Sequence, residues 1–194
     1  MRLLPAFLIL SVQVFGAAEG ASPRSRQALA RDLEHLAQIT AVMVDGDLCQ
    51  RIMTERALEK MFRVDPKDQW AGSDNFDVNA EPYIQTKKTL QRLARLLPYP
   101  VDCNLWMPFK DRPGKIQILI RNRYEMSQFW PWGTLIQDAT PEMLEVLSKG
   151  ATRTVAAKLD FVSVLAPVRN SLGDVVALVE VVSRLNLDSQ ENVK

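Results

Sequence analysis

Histidine is almost missing from this chain of 194 residues, and cysteine is scarce: His35 stands alone, beside Cys49 and Cys103. One imidazole on an early helix leaves little scope for a Ser-His-Asp or Cys-His arrangement. Together these residues fall short of a zinc site of standard spacing. A glycine-rich phosphate loop and an HExxH pair are also missing. Carboxylates could in principle act as an acid/base pair, yet no spacing singles two of them out. Charge of one sign is missing too, with 24 Lys and Arg against 23 Asp and Glu. Nothing global therefore favours nucleic acid or an anionic membrane surface. The expectation is a binding domain, with no enzymatic activity, no cofactor and no metal.

Long apolar runs are lacking after the N-terminus, where "MRLLPAFLILSVQVFGAAEGAS" has a different layout. Arg2 is a short positive region, Leu3 to Phe15 is apolar, and Gly16-Ala17-Ala18 is a small-residue exit, the pattern of a secretory signal peptide. The apolar stretch of about 13 residues is short of the roughly 20 that cross a bilayer, which favours cleavage after residue 18 over an uncleaved anchor. The chain is thus expected to be periplasmic or secreted. In such an oxidising setting Cys49 and Cys103 could form a disulfide, the alternative being two small buried residues. The remainder is long enough for one domain with a real core.

Helical signals come first along the chain. Ser22-Pro23 suits a helix start, and Leu29, Leu33, Leu36, Thr40 and Met43 follow at steps of four and three. Asp45-Gly46-Asp47 reads as a break, with Gly46 ending one helix and Asp47 capping a second over about Leu48 to Phe62. A polar stretch from Asp65 to Asn79 separates it from a third helix, "EPYIQTKKTLQRLARLL", with Ile84, Leu90, Leu93 and Leu97 inward. After Pro98 the texture turns strand-like. "VDCNLWMPF" and "KIQILIRN" flank the turn "KDRPG", and "TPEMLEVLSKG" is a short helix begun by Thr140-Pro141 and ended by Gly150. A weaker strand near Thr152 to Ala157 leads into "VSVLAPVRNSLGDVVALVEVV", a closing hairpin whose strands are apolar on both faces and so interior. The fold class is α+β: an antiparallel sheet of about five strands, a long N-terminal helix, and further helices at one side.

Three stretches, "DGDLCQRI", "DATPEMLEVLSKGATRTV" and "VLAPVRNSLGDVVALVEVV", resemble extracytoplasmic PAS-like sensor domains of the Cache family. With the resemblance covering most of Asp45 to Leu185, the chain divides into a signal peptide over 1–18, an N-terminal helix over 19–45, a sensor domain over 46–186 and a polar tail over 187–194. Such domains usually sit between the membrane helices of receptors and hold a small molecule between the sheet and a segment that crosses it. Here "SRLNLDSQENVK" follows the hairpin, so a stand-alone domain is expected, acting alone or with a membrane receptor partner. Family members that bind amino acids carry a Tyr, an Arg, a Trp-Tyr pair and a later Asp around that segment. In this chain Arg123 stands where Trp would be, and only Asp138 matches by type, so amino-acid specificity does not carry over.

The most ligand-like stretch is "RNRYEMSQFWPWG". Trp130 and Trp132 offer flat apolar surfaces, and Arg121, Arg123 and Tyr124 offer donors suited to a carboxylate. Trp106 could complete a wall and Asp138 lies beyond. These residues form the expected ligand site, the competing reading being that the tryptophans are core. The chain between Lys87 and Arg123 is locally basic, which fits either solvated faces or a field for an anionic ligand. The functional expectation is sensing through a small anionic metabolite, a carboxylate or amino-acid-like molecule. The alternative is a protein–protein module that dimerises through the Leu29–Met43 helix.

Overall fold

The computed structural model describes residues 25–62, 80–130 and 136–185. The expected signal peptide, the Ser22-Pro23 start, the polar stretch after Arg63, Trp132 and the tail lie outside these residues. Helix α1 (Arg26–Met43) is capped by Ser25, whose hydroxyl accepts the Ala28 N–H. Its buried stripe of Leu29, Leu33, Leu36, Ala37 and Thr40 packs on the sheet. Burial of each leucine stabilises the fold by about 1.5–3 kcal/mol. The leucines of that stripe are therefore core, which leaves little of it for the alternative reading of a dimer face. What α1 leaves exposed is Ile39, Val42 and Met43 near its end.

The Asp45-Gly46-Asp47 break works differently from its sequence reading. Asp45 caps α2 (Gly46–Gln50) by accepting the Leu48 N–H, and Asp47 instead accepts the Ser171 N–H of a distant turn. Gly46 is the first residue of α2, pressed on the Arg169 carbonyl, where any Cβ would collide with backbone. The expected single helix to Phe62 is broken: α2 ends at Gln50 and α3 (Glu55–Met61) restarts after Thr54, whose hydroxyl accepts the Ala57 N–H. Helix α4 (Glu81–Leu93) runs into a 3-10 turn at Ala94–Leu96. Its buried side carries Pro82, Thr86, Leu90 and Leu93, with Ile84 only half-buried.

The strands are β1 (Asp102–Pro108), β2 (Lys115–Ile120), β3 (Ile136–Asp138), β4 (Arg153–Val155), β5 (Phe161–Arg169) and β6 (Val175–Arg184), with α5 (Pro141–Lys149) between β3 and β4. They form one antiparallel sheet of six strands in the order β3-β2-β1-β6-β5-β4. Without the short edge strand β3 this is a PAS-like order, in which the first and last strands are central neighbours. The closing hairpin is interior as its two apolar faces require, and Gly173, at φ 88°, supplies the positive φ of its turn. Helices α1, α2 and α4 cover one face, with Cys103, Leu105, Val164, Val179 and Val181 beneath them. Helix α5 covers the other through Met143 and Val146, against Trp106, Ile116, Ile118, Leu165 and Leu178. No helix among the described residues is long and apolar enough to cross a membrane.

Gly46→Ala is expected to lower unfolding stability by about 1–3 kcal/mol, the usual cost of forcing atoms into packed structure. Chemical denaturation checks this, and an unchanged midpoint would show that α2 does not depend on that close approach.

Candidate functional site

The segment that leaves β2 and crosses the sheet, Arg121 to Trp130, is tied down by side chains that alternate along β1. Residues two apart on a strand share a face, so Asp102, Asn104 and Trp106 all point towards it. The Asp102 carboxylate accepts the N–H groups of Tyr124 (3.1 Å) and Met126 (2.8 Å). Both reach one carboxylate because Glu125 between them takes a left-handed conformation, φ 51°. That region is uncommon for a non-glycine residue. The Asn104 carboxamide accepts the Asn122 N–H and donates to the Met126 carbonyl.

Glu180 on β6 is the centre of this arrangement. It is fully buried and accepts from five donors: Ser127 Oγ (2.6 Å), the Gln128 N–H (2.8 Å), Ser163 Oγ (2.8 Å), Trp106 Nε1 (3.3 Å) and Asn104 Nδ2 (3.4 Å). Its donors are all neutral groups. Burial pushes the Glu180 carboxyl above the usual range, against the pull of those hydrogen bonds. Asp102 is also raised, first by burial and further by the nearby Glu125 charge. Ser127 passes the order on, accepting the N–H groups of Phe129 and Trp130 while it donates to Glu180. The Gln128 carboxamide then bridges to the Val155 carbonyl and the Lys158 N–H.

Among the described residues, the sheet surface beneath Arg121 to Trp130 is thus covered by the protein's own groups. Trp106 is completely buried there, and Trp130 packs in the same cluster, with the Arg121 guanidinium 4.7 Å from its ring centre. Both tryptophans are core. Asp138 lies apart on the edge strand, 83% exposed at its side chain and ion-paired to Lys115 at 2.7 Å. A pair so exposed adds at most about 1 kcal/mol. Cys49 and Cys103 are free buried thiols in the α1-side core, not a disulfide. Burial pushes the Cys49 thiol up to about 12 and Cys103 higher still, so neither is a ready thiolate.

Among the described residues of the expected site, Arg123 and Tyr124 line an open cavity. It holds about 410 Å³ between the end of α4, the Leu97–Val101 stretch and the start of the crossing segment. Arg95 and Gln91 face it from the helix side, and Asn122 from the segment. Asn122 is more than nine-tenths buried, and among the described residues its Nδ2 has no hydrogen-bond partner, although its Oδ1 accepts the Arg123 N–H. Among the described residues neither Arg95 nor Arg123 pairs with a carboxylate. No group of three His, Cys, Asp or Glu residues there could hold a metal ion.

Sequence reasoning missed Glu180, Asp102, Asn104, Arg95 and Asn122. The signal for the first was visible as the one charge inside "VVALVEVV"; that for Asp102 and Asn104 was their two-residue spacing from Trp106.

No family model matches the chain, and no curated protein does. Solved structures similar to it include the sensory domain of the Campylobacter jejuni chemoreceptor Tlp3 (CcmL), at 14% identity and a TM-score of 0.30, over 81% of this chain and 61% of that one. The ligand-binding domain of the same receptor in complex with L-valine is similar at 14% identity and a TM-score of 0.29, over 81% and 60%. The sensory domain with isoleucine bound gives 13%, 0.28, 81% and 60%. The chain spans about three fifths of the length of these domains.

The raised Glu180 carboxyl has a signed consequence. Between its ordinary value, 4.5, and its folded value the native state holds a proton that the unfolded chain has lost. Stability therefore falls as pH rises through that window. In urea unfolding from pH 4.5 upwards, Glu180→Gln should show a shallower fall than the parent chain, Asp102 supplying what slope remains. Equal slopes would contradict the assignment.

Proposed function

We propose that this chain is an extracytoplasmic sensory-type domain that binds a small carboxylate or similarly anionic metabolite in the cavity beside Arg95, Asn122, Arg123 and Tyr124. The observation that carries this reading is a cavity lined by Arg95, Arg123 and Asn122, whose buried Nδ2 donor is unpaired among the described residues. A buried donor without a partner costs about 1–3 kcal/mol, which an acceptor oxygen would recover. Guanidinium groups are suited to hold a carboxylate in bidentate fashion. Leu97, Pro98 and Pro100 give the cavity an apolar side for the body of such a molecule.

The role is binding, not catalysis, because the cavity offers donors and no nucleophile paired with a base. Export would follow cleavage after residue 18, and the bound state would be read by a membrane receptor partner. Tyr99 lines the cavity and donates to Asp32 of α1 at 3.1 Å, which gives occupancy a direct contact with the long helix. A second reading, docking of another protein, is favoured by Ile39, Val42 and Met43, exposed together at the end of α1.

Thermal-shift and calorimetric titration with acetate, succinate, citrate and glutamate tests the first reading. At least one should stabilise the protein, and Arg123→Ala or Arg95→Ala should weaken it about tenfold, the worth of one charge-assisted contact, with the melting temperature of the free protein nearly unchanged. If no carboxylate binds while Val42→Glu dissolves a complex with a second protein, the docking reading replaces it.

A further inference from the structure

The two cavities at the ends of β1 are lined by opposite charge. β1 separates them by about 20 Å, seven residues at the rise of an extended strand. The basic cavity lies where β1 begins. Where β1 ends there is a larger groove of about 860 Å³, bounded by α2 and α3, the β1–β2 turn and the β5–β6 turn. That volume is within the range of small-molecule sites.

Its floor is apolar, with Met53 and Leu58 from the helix side, Met107 from β1 and Phe109 just after it. Leu172, 83% exposed on the β5–β6 turn, stands at the mouth. A leucine so placed gains nothing from the fold itself. The rim is acidic: Asp47, Asp111 and Asp174 face the groove against the single base Lys110. Among the described residues none of these carboxylates pairs with Lys or Arg. The Asp47 and Asp174 contacts are with the turn only, to the Ser171 N–H and the Asn170 carboxamide.

A second observation comes from beneath the floor. Met107 is the register partner of Gln117 on β2, so both side chains lie on the groove's face of the sheet. The Gln117 carboxamide is completely buried and does not itself line the groove, and among the described residues neither its nitrogen nor its oxygen is hydrogen-bonded. Such a group is costly unless a polar atom reaches it.

We propose that this groove binds a small organic cation: an ammonium held by the Asp47, Asp111 and Asp174 rim, with an apolar body on Met53, Leu58 and Phe109. The chemistry is the reverse of that at the basic cavity, so the two sites select different ligands and the groove does not depend on the anion reading. Charge complementarity fixes the sign, and the apolar floor excludes a bare metal ion or a strongly hydrated polyamine as the best fit.

Phenethylamine and 3-phenylpropionate share an aromatic ring on a two-carbon stem and differ in charge at neutral pH, so they are the probes. In ¹H–¹⁵N correlation spectra of the full chain, the amine should shift amides at 107–111 and 170–176, saturably, and the acid should leave them in place. The double variant Asp111→Asn, Asp174→Asn, both at the surface, should weaken the amine about five-fold or more, the size of one exposed charged contact. Equal shifts from both probes, or none at the groove, would overturn the proposal. So would shifts confined to residues 63–79, or self-association that closes the groove, since either assigns it to the protein itself.

Discussion

A carboxyl group in the middle of a dry sheet must be surrounded by donors, and that requirement at Glu180 organises one whole side of this protein. Moving a carboxylate out of water without such partners is prohibitive. Here the partners come from β1, β5 and the crossing segment, so none of the three can shift without leaving the acid exposed to an apolar environment. Trp106 is held by its indole N–H, Ser163 by its hydroxyl, and Gln128 by its backbone. Asp102, on the neighbouring β1 and two residues along from the Glu180 partner Asn104, repeats the device with two backbone N–H groups. The crossing segment has little regular structure of its own; it is shaped by acids on the sheet below it.

This has a direct bearing on where a ligand can go. A PAS-like sheet with a segment across it suggests a pocket between the two, but here that space is taken by Trp106, Ser127 and Gln128 on Glu180. Among the described residues, two openings lie at the ends of β1. At its start the segment has just left the sheet, and Asn122, Arg123 and Tyr124 turn towards α4. At its end the β1–β2 and β5–β6 turns spread away from α2 and α3. The closed middle fixes the two ends relative to each other, since β1 runs through both.

Local signals in the sequence were read correctly because their physics is local. Thr140, Pro141 and Gly150 bound α5 through a hydroxyl on the Met143 N–H and a left-handed cap, and Gly173 turns the closing hairpin. The errors came where a distant element decides. Gly46 looked like a helix end and is instead a point of contact with Arg169, more than a hundred residues on. The leucine stripe of α1 looked available to a partner, yet the sheet covers it. Trp106 and Trp130 fitted either a pocket wall or the core, since sequence gives no sign of which aromatic faces are already packed, and the structure buries both. Glu180 was passed over for the opposite reason: one charge in an apolar strand breaks no periodicity, and its weight appears only with Ser127 and Gln128 beside it.

Amide hydrogen exchange resolved at single residues tests the central role of these acids most directly. If Asp102 and Glu180 hold the crossing segment as described, the Tyr124, Met126 and Gln128 amides should be slowed about a thousand-fold or more against an unstructured loop, as sheet amides are. Exchange of those three amides at loop rates, while the β5–β6 hairpin stays protected, would contradict it.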